Sequence, residues 1–241
     1  MTIISVASGK GGVGKTTIVS NLGLAMGKNG KKALLVDADL PSGNLGYYLG
    51  HENLTPSLTD FLAGEVDSIQ DVIKNVSKNV DLLPSPPTIR KFLSADISKI
   101  KTLLPDLSTE YDVTLIDCPP GISRNSITPI EASEQILLVV TPDEASVSSA
   151  ENMAKIGRLI EKGMKGYILN RWKERSFFAR LFGEETQIKP ELIESRMGIN
   201  HLGTVNEDEK VRESTEIGEP LLKYESNSDA ANSIREISKK I

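Results

Sequence analysis

A glycine-rich segment directly after the first apolar run constrains the fold of this chain more than any other feature. Residues 9–17 read GKGGVGKTT, which satisfies the pattern G-x-x-x-x-G-K-[ST] from Gly9 to Thr16. A loop of this kind surrounds a phosphate group with its backbone N–H groups, and the helix that follows adds its positive N-terminal end. The sequence therefore predicts a strand, a phosphate-binding loop and a helix, in that order.

Seven short aliphatic runs, separated by segments with helical spacing, predict a doubly wound α/β fold. The runs are residues 3–7, 33–36, 80–83, 113–116, 136–140, 166–169 and 202–205. Several are continuously apolar, which is typical of strands buried on both faces of a parallel sheet. We expect a single domain, residues 1–241, with a mainly parallel sheet and helices on both faces. Pro105 is expected to end a helix that starts near Ile89.

Charge and cysteine content exclude several classes of protein. The 28 Lys+Arg against 33 Asp+Glu residues give a formal net charge of −5, which excludes a globally basic nucleic-acid coat. The one cysteine, Cys118, excludes an internal disulfide and any zinc or iron–sulfur site built on a Cys-x-x-Cys pair within one chain. No run approaches the roughly 20 apolar residues of a membrane span and no signal peptide is recognisable, so we expect a cytosolic protein.

The glycine-rich loop resembles a motif of one known family. Within the loop, Lys15 would place a positive charge on the β- and γ-phosphates, and the hydroxyl of Thr16 would hold Mg²⁺. The segment from Lys10 to Thr16 resembles the deviant Walker A motif of the MinD/ParA family of P-loop ATPases, which carries a second lysine early in the loop. The resemblance implies ATP and Mg²⁺ as ligands, and a homodimer in which Lys10 reaches the nucleotide of the partner subunit. The ATP-binding residues so implied are Gly11, Gly12, Val13, Gly14, Lys15, Thr16, Thr17, Asn170 and Arg171.

The resemblance also assigns roles to three aspartates at the ends of predicted strands. Asp39 would position or activate the attacking water, and would be catalytic together with Lys10 and Lys15. Asp117 would hold the metal through water, and Asp37 would be a carboxylate of the metal shell or a structural one. For these aspartates, capping of nearby helix N-termini is the alternative.

Further family positions concern the base and the dimer. The resemblance implies that Asn170 reads adenine, and the absence of an N-K-x-D signature favours ATP over GTP. After the last run the family usually has a proline, where this chain has Asn206. Glu151 lies where the family places a carboxylate at the dimer interface.

An aromatic and basic insertion near residues 172–185 is the main departure from the family. Its apolar residues are Trp172, Phe177, Phe178, Leu181 and Phe182, and its basic ones are Arg171, Lys173, Arg175 and Arg180. We hypothesise that it contacts anionic lipid or a protein partner. The alternative is that its aromatic side chains complete the local core or the dimer seam. Residues 233–241 are expected to form a final helix packed on the core rather than a membrane anchor.

The resemblance implies a MinD-like ATPase whose slow hydrolysis depends on dimerisation. Such a protein would regulate cell division in space or position a complex at a membrane, with an activating protein partner and reversible membrane association. The alternative is a ParA-like DNA partition ATPase that binds nonspecific DNA as an ATP dimer. The acidic charge and the lack of a basic C-terminal patch argue against nucleic acid. Relatives that assemble metal clusters need paired cysteines, and this chain has one.

Overall fold

One sheet organises the computed structural model, which describes residues 1–86, 89–174 and 187–241. Eight strands form it within these residues: β1 (Thr2–Ala7), β2 (Ala33–Asp37), β3 (Lys74–Ser77), β4 (Val80–Leu83), β5 (Val113–Asp117), β6 (Gln135–Val140), β7 (Gly163–Trp172) and β8 (His201–Asn206). Their order is β3-β4-β2-β5-β1-β6-β7-β8, and every neighbouring pair is parallel except β3 with β4. The mainly parallel sheet is confirmed. The edge strand β3 was not predicted, because Val76 is its only buried residue.

Helices cover both faces of this sheet. Those in the described residues are α1 (Lys15–Lys28), α2 (Leu45–Tyr48), α3 (Leu58–Leu62), α4 (Ile89–Ser94), α5 (Ile100–Ser108), α6 (Arg124–Glu131), α7 (Glu144–Leu159), α8 (Pro190–Met197), α9 (Glu209–Glu216), α10 (Leu221–Tyr224) and α11 (Asp229–Ser238). Single 3₁₀ turns lie at Ile69–Asp71 and Ile97–Lys99. None of these helices is long and apolar enough to cross a membrane.

Two hydrophobic clusters, one on each face, explain the continuously apolar runs. In β2, Leu34 and Val36 belong to the cluster that contains residues of α5, α6 and α7, whereas Leu35 belongs to the cluster that contains residues of α1 and α11. Successive side chains of a strand point to opposite faces, so a strand covered on both sides needs apolar residues at every position. Ile234 and Ile237 of α11 are buried in the second cluster, which confirms the expected final helix.

The expectation for Pro105 is wrong. The helix that begins at Ile89 ends at Ser94, and Pro105 lies inside α5. Proline removes one helical hydrogen bond, in this case to the carbonyl of Lys101. Both residues are exposed. Water can therefore satisfy that carbonyl, and the helix continues.

Candidate functional site

The loop between β1 and α1 has the backbone that a phosphate cradle needs. Gly12 and Gly14 have φ values of 76° and 92°, in the left-handed region that favours glycine. A Cβ on Gly9 would lie 2.4 Å from the carbonyl oxygen of Ser149 in α7, so no larger residue fits there without a backbone shift. Gly14 is the N-cap residue of α1, and no side chain caps this helix. The first N–H groups of α1 are thus open to an anion.

The two lysines of the loop occupy opposite environments. Lys15 is 8% exposed and lies at the start of α1, beside the aspartates of the site. The side chain of Lys10 is 48% exposed, and its Nζ lies 3.3 Å from Oδ1 of Asp143. Asp143 is the N-cap residue of α7 and also accepts a hydrogen bond from the hydroxyl of Thr141. Lys10 is therefore held at the surface by the N-cap residue of α7, whereas Lys15 is buried at the start of α1.

Asp117 and Thr16 form a site that fits Mg²⁺. Thr16 Oγ1 donates to Asp117 Oδ2 over 2.6 Å, and the other oxygen, Oδ1, is buried without a hydrogen-bond partner among the described residues. Burial raises the pKa of Asp117 to about 6, although the charge of Lys15 and the hydroxyl of Thr16 act in the opposite direction. Mg²⁺ prefers oxygen ligands and uses one or two protein groups together with water and substrate phosphates. Consistent with this, no cluster of three or more His, Cys, Asp or Glu residues in the described chain could enclose a metal alone.

Asp37 is held by backbone groups. Its Oδ2 accepts from the N–H of Leu45 at 3.0 Å and its Oδ1 accepts from that of Asp39 at 3.3 Å. Burial, together with the charge of Asp117, raises the pKa of Asp37 well above its usual value. Of the two roles predicted for Asp37, these bonds favour the structural one, and metal binding stays a prediction.

Asp39 lies two residues beyond the end of β2 and is only partly buried. Burial raises its pKa and the nearby charge of Lys15 lowers it. The carboxylate therefore faces the same charged site as Lys15 while one side remains open to solvent. This position is suitable for a group that holds a water molecule, which is the role that the family resemblance implies and which stays a prediction.

Asn170 is brought to the phosphate loop from the end of β7. Its Nδ2 donates to the carbonyl of Val13 over 2.8 Å, and a Cβ on Gly14 would lie 2.4 Å from that nitrogen. Arg171 follows at a bulge between β7 and β8, with φ of 58° and an exposed side chain. Bulges near a site redirect side chains, so the local backbone turns these two residues in different directions. Adenine recognition by Asn170 stays a prediction.

A polar pocket of about 810 Å³ lies beyond the ends of β7 and β8. Its lining residues come from three segments: Trp172, Lys173 and Glu174; Asn206, Glu207, Asp208 and Glu209; and Asn227, Ser228 and Asp229. Asn206, at the family's proline position, donates to Glu174 over 3.4 Å. No sequence motif marks the third segment, because it joins the pocket only through the packing of α11 against β8.

Glu151 and Trp172 both contact residues of their own chain. Glu151 and Glu144, both in α7, form ion pairs with Arg196 of α8, so Glu151 has a partner within its own chain. Trp172 is half-buried against the first hydrophobic cluster. The contact residues Phe177, Phe178, Leu181 and Phe182, and the basic residues Arg175 and Arg180, lie outside the described residues.

Comparisons with known proteins find relatives that match most of this chain. Residues 1–168 match the family model of an AAA domain. An uncharacterized ATP-binding protein of Methanocaldococcus jannaschii is 34% identical over 238 residues, which are 99% of this chain and 86% of that protein. The septum site-determining protein MinD of Synechocystis sp. is 32% identical over 228 residues, 92% of this chain and 82% of that protein.

Two solved structures are similar to this chain over nearly its whole length. The septum site-determining protein MinD of Pyrococcus horikoshii, complexed with Mg-ADP, superimposes with a TM-score of 0.90 at 32% identity, over 99% of this chain and 94% of that one. In a MinC:MinD cell division complex of Aquifex aeolicus, the matching chain has a TM-score of 0.83 at 28% identity, over 99% of this chain and 95% of that one. Both similarities extend over the whole sheet and its flanking helices.

Proposed function

Because the chain belongs to the MinD/ParA family of P-loop ATPases, we propose that it is an ATP-driven dimerisation switch of the MinD type. ATP joins two copies through their phosphate-loop faces, and hydrolysis returns them to monomers. The dimer positions a protein partner at a membrane, in the spatial regulation of cell division or of another complex.

The contrast between the two loop lysines carries this proposal. Lys15 is buried beside Asp39 and Asp117, where it serves the nucleotide of its own subunit. Lys10 lies on the surface and is held by an exposed ion pair with Asp143. Such a pair contributes about 0–1 kcal/mol, so the incoming phosphates of a second subunit can displace it. A charge delivered in trans couples hydrolysis to assembly, as an arginine finger does.

The chemistry is an in-line attack of water on the γ-phosphate. Asp39 orients the water, while Lys15 and Lys10 of the partner subunit offset the charge that develops on the phosphate oxygens. The loop amides and the N-terminus of α1 hold the phosphates, and Thr16 with Asp117 holds Mg²⁺, which supplies further positive charge when bound. Turnover is slow in the monomer, because the site lacks the lysine that the second subunit supplies.

The names of the relatives support a proposal for the protein partner of this chain. Several are named as septum site-determining proteins, and one solved relative is a complex of MinC with MinD. We therefore expect a protein partner that binds the ATP dimer. We also retain the hypothesis that the segment 172–185 brings the dimer to an anionic membrane.

Light scattering after size exclusion tests the switch, with ATP or ADP in the buffer. Asp39→Ala protein is expected to be a dimer with ATP and a monomer with ADP, because it binds ATP without hydrolysing it. Lys10→Ala protein is expected to remain monomeric with ATP. Lys99→Ala, which changes an exposed lysine outside the loop, is the matched control and should behave as the unchanged chain does.

A Lys10→Ala protein that dimerises and hydrolyses ATP normally would contradict the role of Lys10 in trans.

Membrane binding is tested by co-sedimentation of Asp39→Ala protein with anionic vesicles, compared between ATP and ADP. Pelleting that depends on ATP supports a membrane switch. Absence of pelleting with both nucleotides excludes direct membrane binding by this chain.

A further inference from the structure

The first two turns of α7 support the two residues that begin the phosphate loop. A Cβ on Gly9 would lie 2.4 Å from the carbonyl oxygen of Ser149, so the loop rests on the backbone of the helix at this point. Lys10 Nζ lies 3.3 Å from Oδ1 of Asp143, which is the N-cap residue of the same helix. The position of α7 therefore determines where Gly9 and Lys10 lie.

Arg196 of α8 holds the same two turns of α7. Its Nη1 and Nη2 donate to the two carboxylate oxygens of Glu144 over 2.8 and 2.6 Å, and its Nε donates to Glu151. The separation of these glutamates, seven residues, places both on one face of the helix. Glu144 directly follows Asp143, and Glu151 lies two residues after Ser149. One side chain thus fixes α7 beside both of its contacts with the phosphate loop.

The surroundings of Arg196 give this contact a fixed geometry. The side chain of Arg196 is 26% exposed and that of Glu151 is 21% exposed. Ile193 and Met197 of α8 are buried in the first hydrophobic cluster, so the backbone on either side of Arg196 is packed in place. A planar guanidinium that binds one carboxylate through two bonds also has a defined direction, which an ammonium group lacks.

The activity proposed for Lys10 depends on its being held in one position. A lysine side chain loses much rotamer freedom when it is ordered. Because Asp143 already orders Lys10 within one subunit, less freedom is lost when Lys10 meets the phosphates of a second subunit. Asp143 can order Lys10 in this way only while the start of α7 is itself fixed.

We propose that Arg196 is a positioning residue for Lys10, because it fixes the part of α7 that carries Asp143. This role rests on the proposed function, in which Lys10 acts on the nucleotide of a second subunit. The side chain of Arg196 bonds to α7 and, among the described residues, to no group of the phosphate loop. Loss of Arg196 should therefore weaken what Lys10 does in trans and preserve what the loop does within its own subunit.

Steady-state phosphate release and light scattering with ATP test this role on the full chain. Arg196→Met is expected to lower the hydrolysis rate about tenfold and to weaken the ATP dimer, because a displaced group loses much of its catalytic effect. Arg196→Lys keeps the charge but not the planar fork, and should recover part of the rate. ADP, which does not require Lys10, should bind to both variants with an affinity within about twofold of the unchanged chain, as measured by titration calorimetry.

A double-mutant cycle with Lys10→Ala separates positioning from a general structural role. In Lys10→Ala protein, the added Arg196→Met should change the residual rate by less than about twofold, because the group through which Arg196 acts is absent. Arg212→Met is the matched control. Arg212 is exposed and forms ion pairs with Glu209 and Glu216 of its own helix, so its loss should leave the rate and the dimer unchanged.

Three results would overturn the role of Arg196. They are an unchanged or increased rate in Arg196→Met, an equal loss of rate with and without Lys10, and a loss of ADP affinity as large as the loss of rate. Normal hydrolysis by Lys10→Ala would instead contradict the proposed function and, with it, the role of Arg196. An impaired Lys10→Ala protein whose rate falls further on adding Arg196→Met would contradict the role of Arg196 alone.

Discussion

The two ends of the parallel strands carry charge in opposite ways. At the carboxyl ends, Asp37 and Asp117 are buried side by side in register, with raised pKa values and one carboxylate oxygen unbonded. At the amino ends, five lysines, which we call the lysine surface, have exposed or half-exposed ammonium groups that form no ion pair among the described residues: Lys28, Lys31, Lys32, Lys78 and Lys223. The one carboxylate bonded within this surface, that of Asp112, accepts from the backbone N–H of Lys32 at 2.7 Å. The charged groups are therefore buried at the carboxyl ends and solvated at the amino ends.

This difference predicts how substitutions at the two ends of the strands act. Burial strengthens each electrostatic interaction and fixes its geometry, which chemistry at a γ-phosphate requires, but it destabilises the fold without ligand. Solvated surface lysines cost the fold little. We therefore expect substitutions at the carboxyl ends to alter activity and stability strongly, and those at the amino ends to alter stability little.

The largest effect is expected for Lys15→Met. Removing one preorganised positive group from the phosphates should lower the rate of ATP hydrolysis by about 10²–10³-fold. Lys31→Met, which removes a lysine from the lysine surface, should leave the rate within about twofold. Steady-state phosphate release measures both. Equal rates for the two variants would show that the buried loop lysine has no special role.

Two glycines give the next contrast. In Gly9→Ala the new Cβ would meet the Ser149 backbone at 2.4 Å, so we expect destabilisation of about 3 kcal/mol and weaker ATP binding. In Gly30→Ala no atom lies within 4 Å of the new Cβ, and only the φ of 88° opposes it, at a cost of about 1 kcal/mol. Urea unfolding measures the difference. A larger loss in Gly30→Ala would contradict the close packing of the loop on α7.

Asp117→Asn should stabilise the protein without nucleotide. The folded pKa of about 6 exceeds the ordinary value of 3.8, so the folded state binds the proton more tightly than the unfolded state. The stability from this proton is present below about pH 4 and is lost as the pH rises through about 6. At pH 7.5 the variant should therefore be more stable than the unchanged chain by about 1–3 kcal/mol, with little difference near pH 4.

Mg-ATP provides the second readout for this position. It should raise the melting temperature of the unchanged chain and have a smaller effect on Asp117→Asn, because the amide carries no negative charge and has one oxygen instead of two. Asp106→Asn, on an exposed position of α5, is the matched control and should change neither property. A variant that is less stable at pH 7.5 would show that Asp117 is not under electrostatic strain.

The sequence predicts the central strands and the phosphate loop for a physical reason. Strands covered on both faces, such as β6, must be apolar throughout, and the glycine pattern is required by the backbone that surrounds a phosphate. β3 was not predicted because an edge strand is held mainly by its backbone pairing. Only one of its side chains, that of Val76, is buried, so it has no apolar pattern. Pro105 was misjudged because solvent exposure, which decides the cost of a lost helical bond, depends on the tertiary fold.

The site residues show the same limit. Asp39, Asp117 and Asn170 follow predicted strands, so a parallel sheet had to bring them to one edge. Asp143, the partner of Lys10, had no motif to mark it, and its contact depends on how α7 packs beside the loop. The lysine surface likewise cannot be predicted from the sequence, because its five residues lie in three segments that are separated by up to about 145 residues. Local sequence patterns therefore predict the phosphate loop, whereas the residues that contact it depend on how the helices and strands pack.

The smallest effect is expected for the stability of Lys31→Gln/Lys78→Gln. These lysines have no ion pair to lose among the described residues, so the free energy of unfolding should change by no more than about 0.5 kcal/mol. Any change should be a slight gain at low salt, because neighbouring like charges repel, and it should vanish near 1 M salt, where charges are screened beyond about 3 Å. Urea unfolding at both salt concentrations measures this. A loss above about 1 kcal/mol would mean that these lysines stabilise the fold, which would contradict the difference expected between the two ends of the strands.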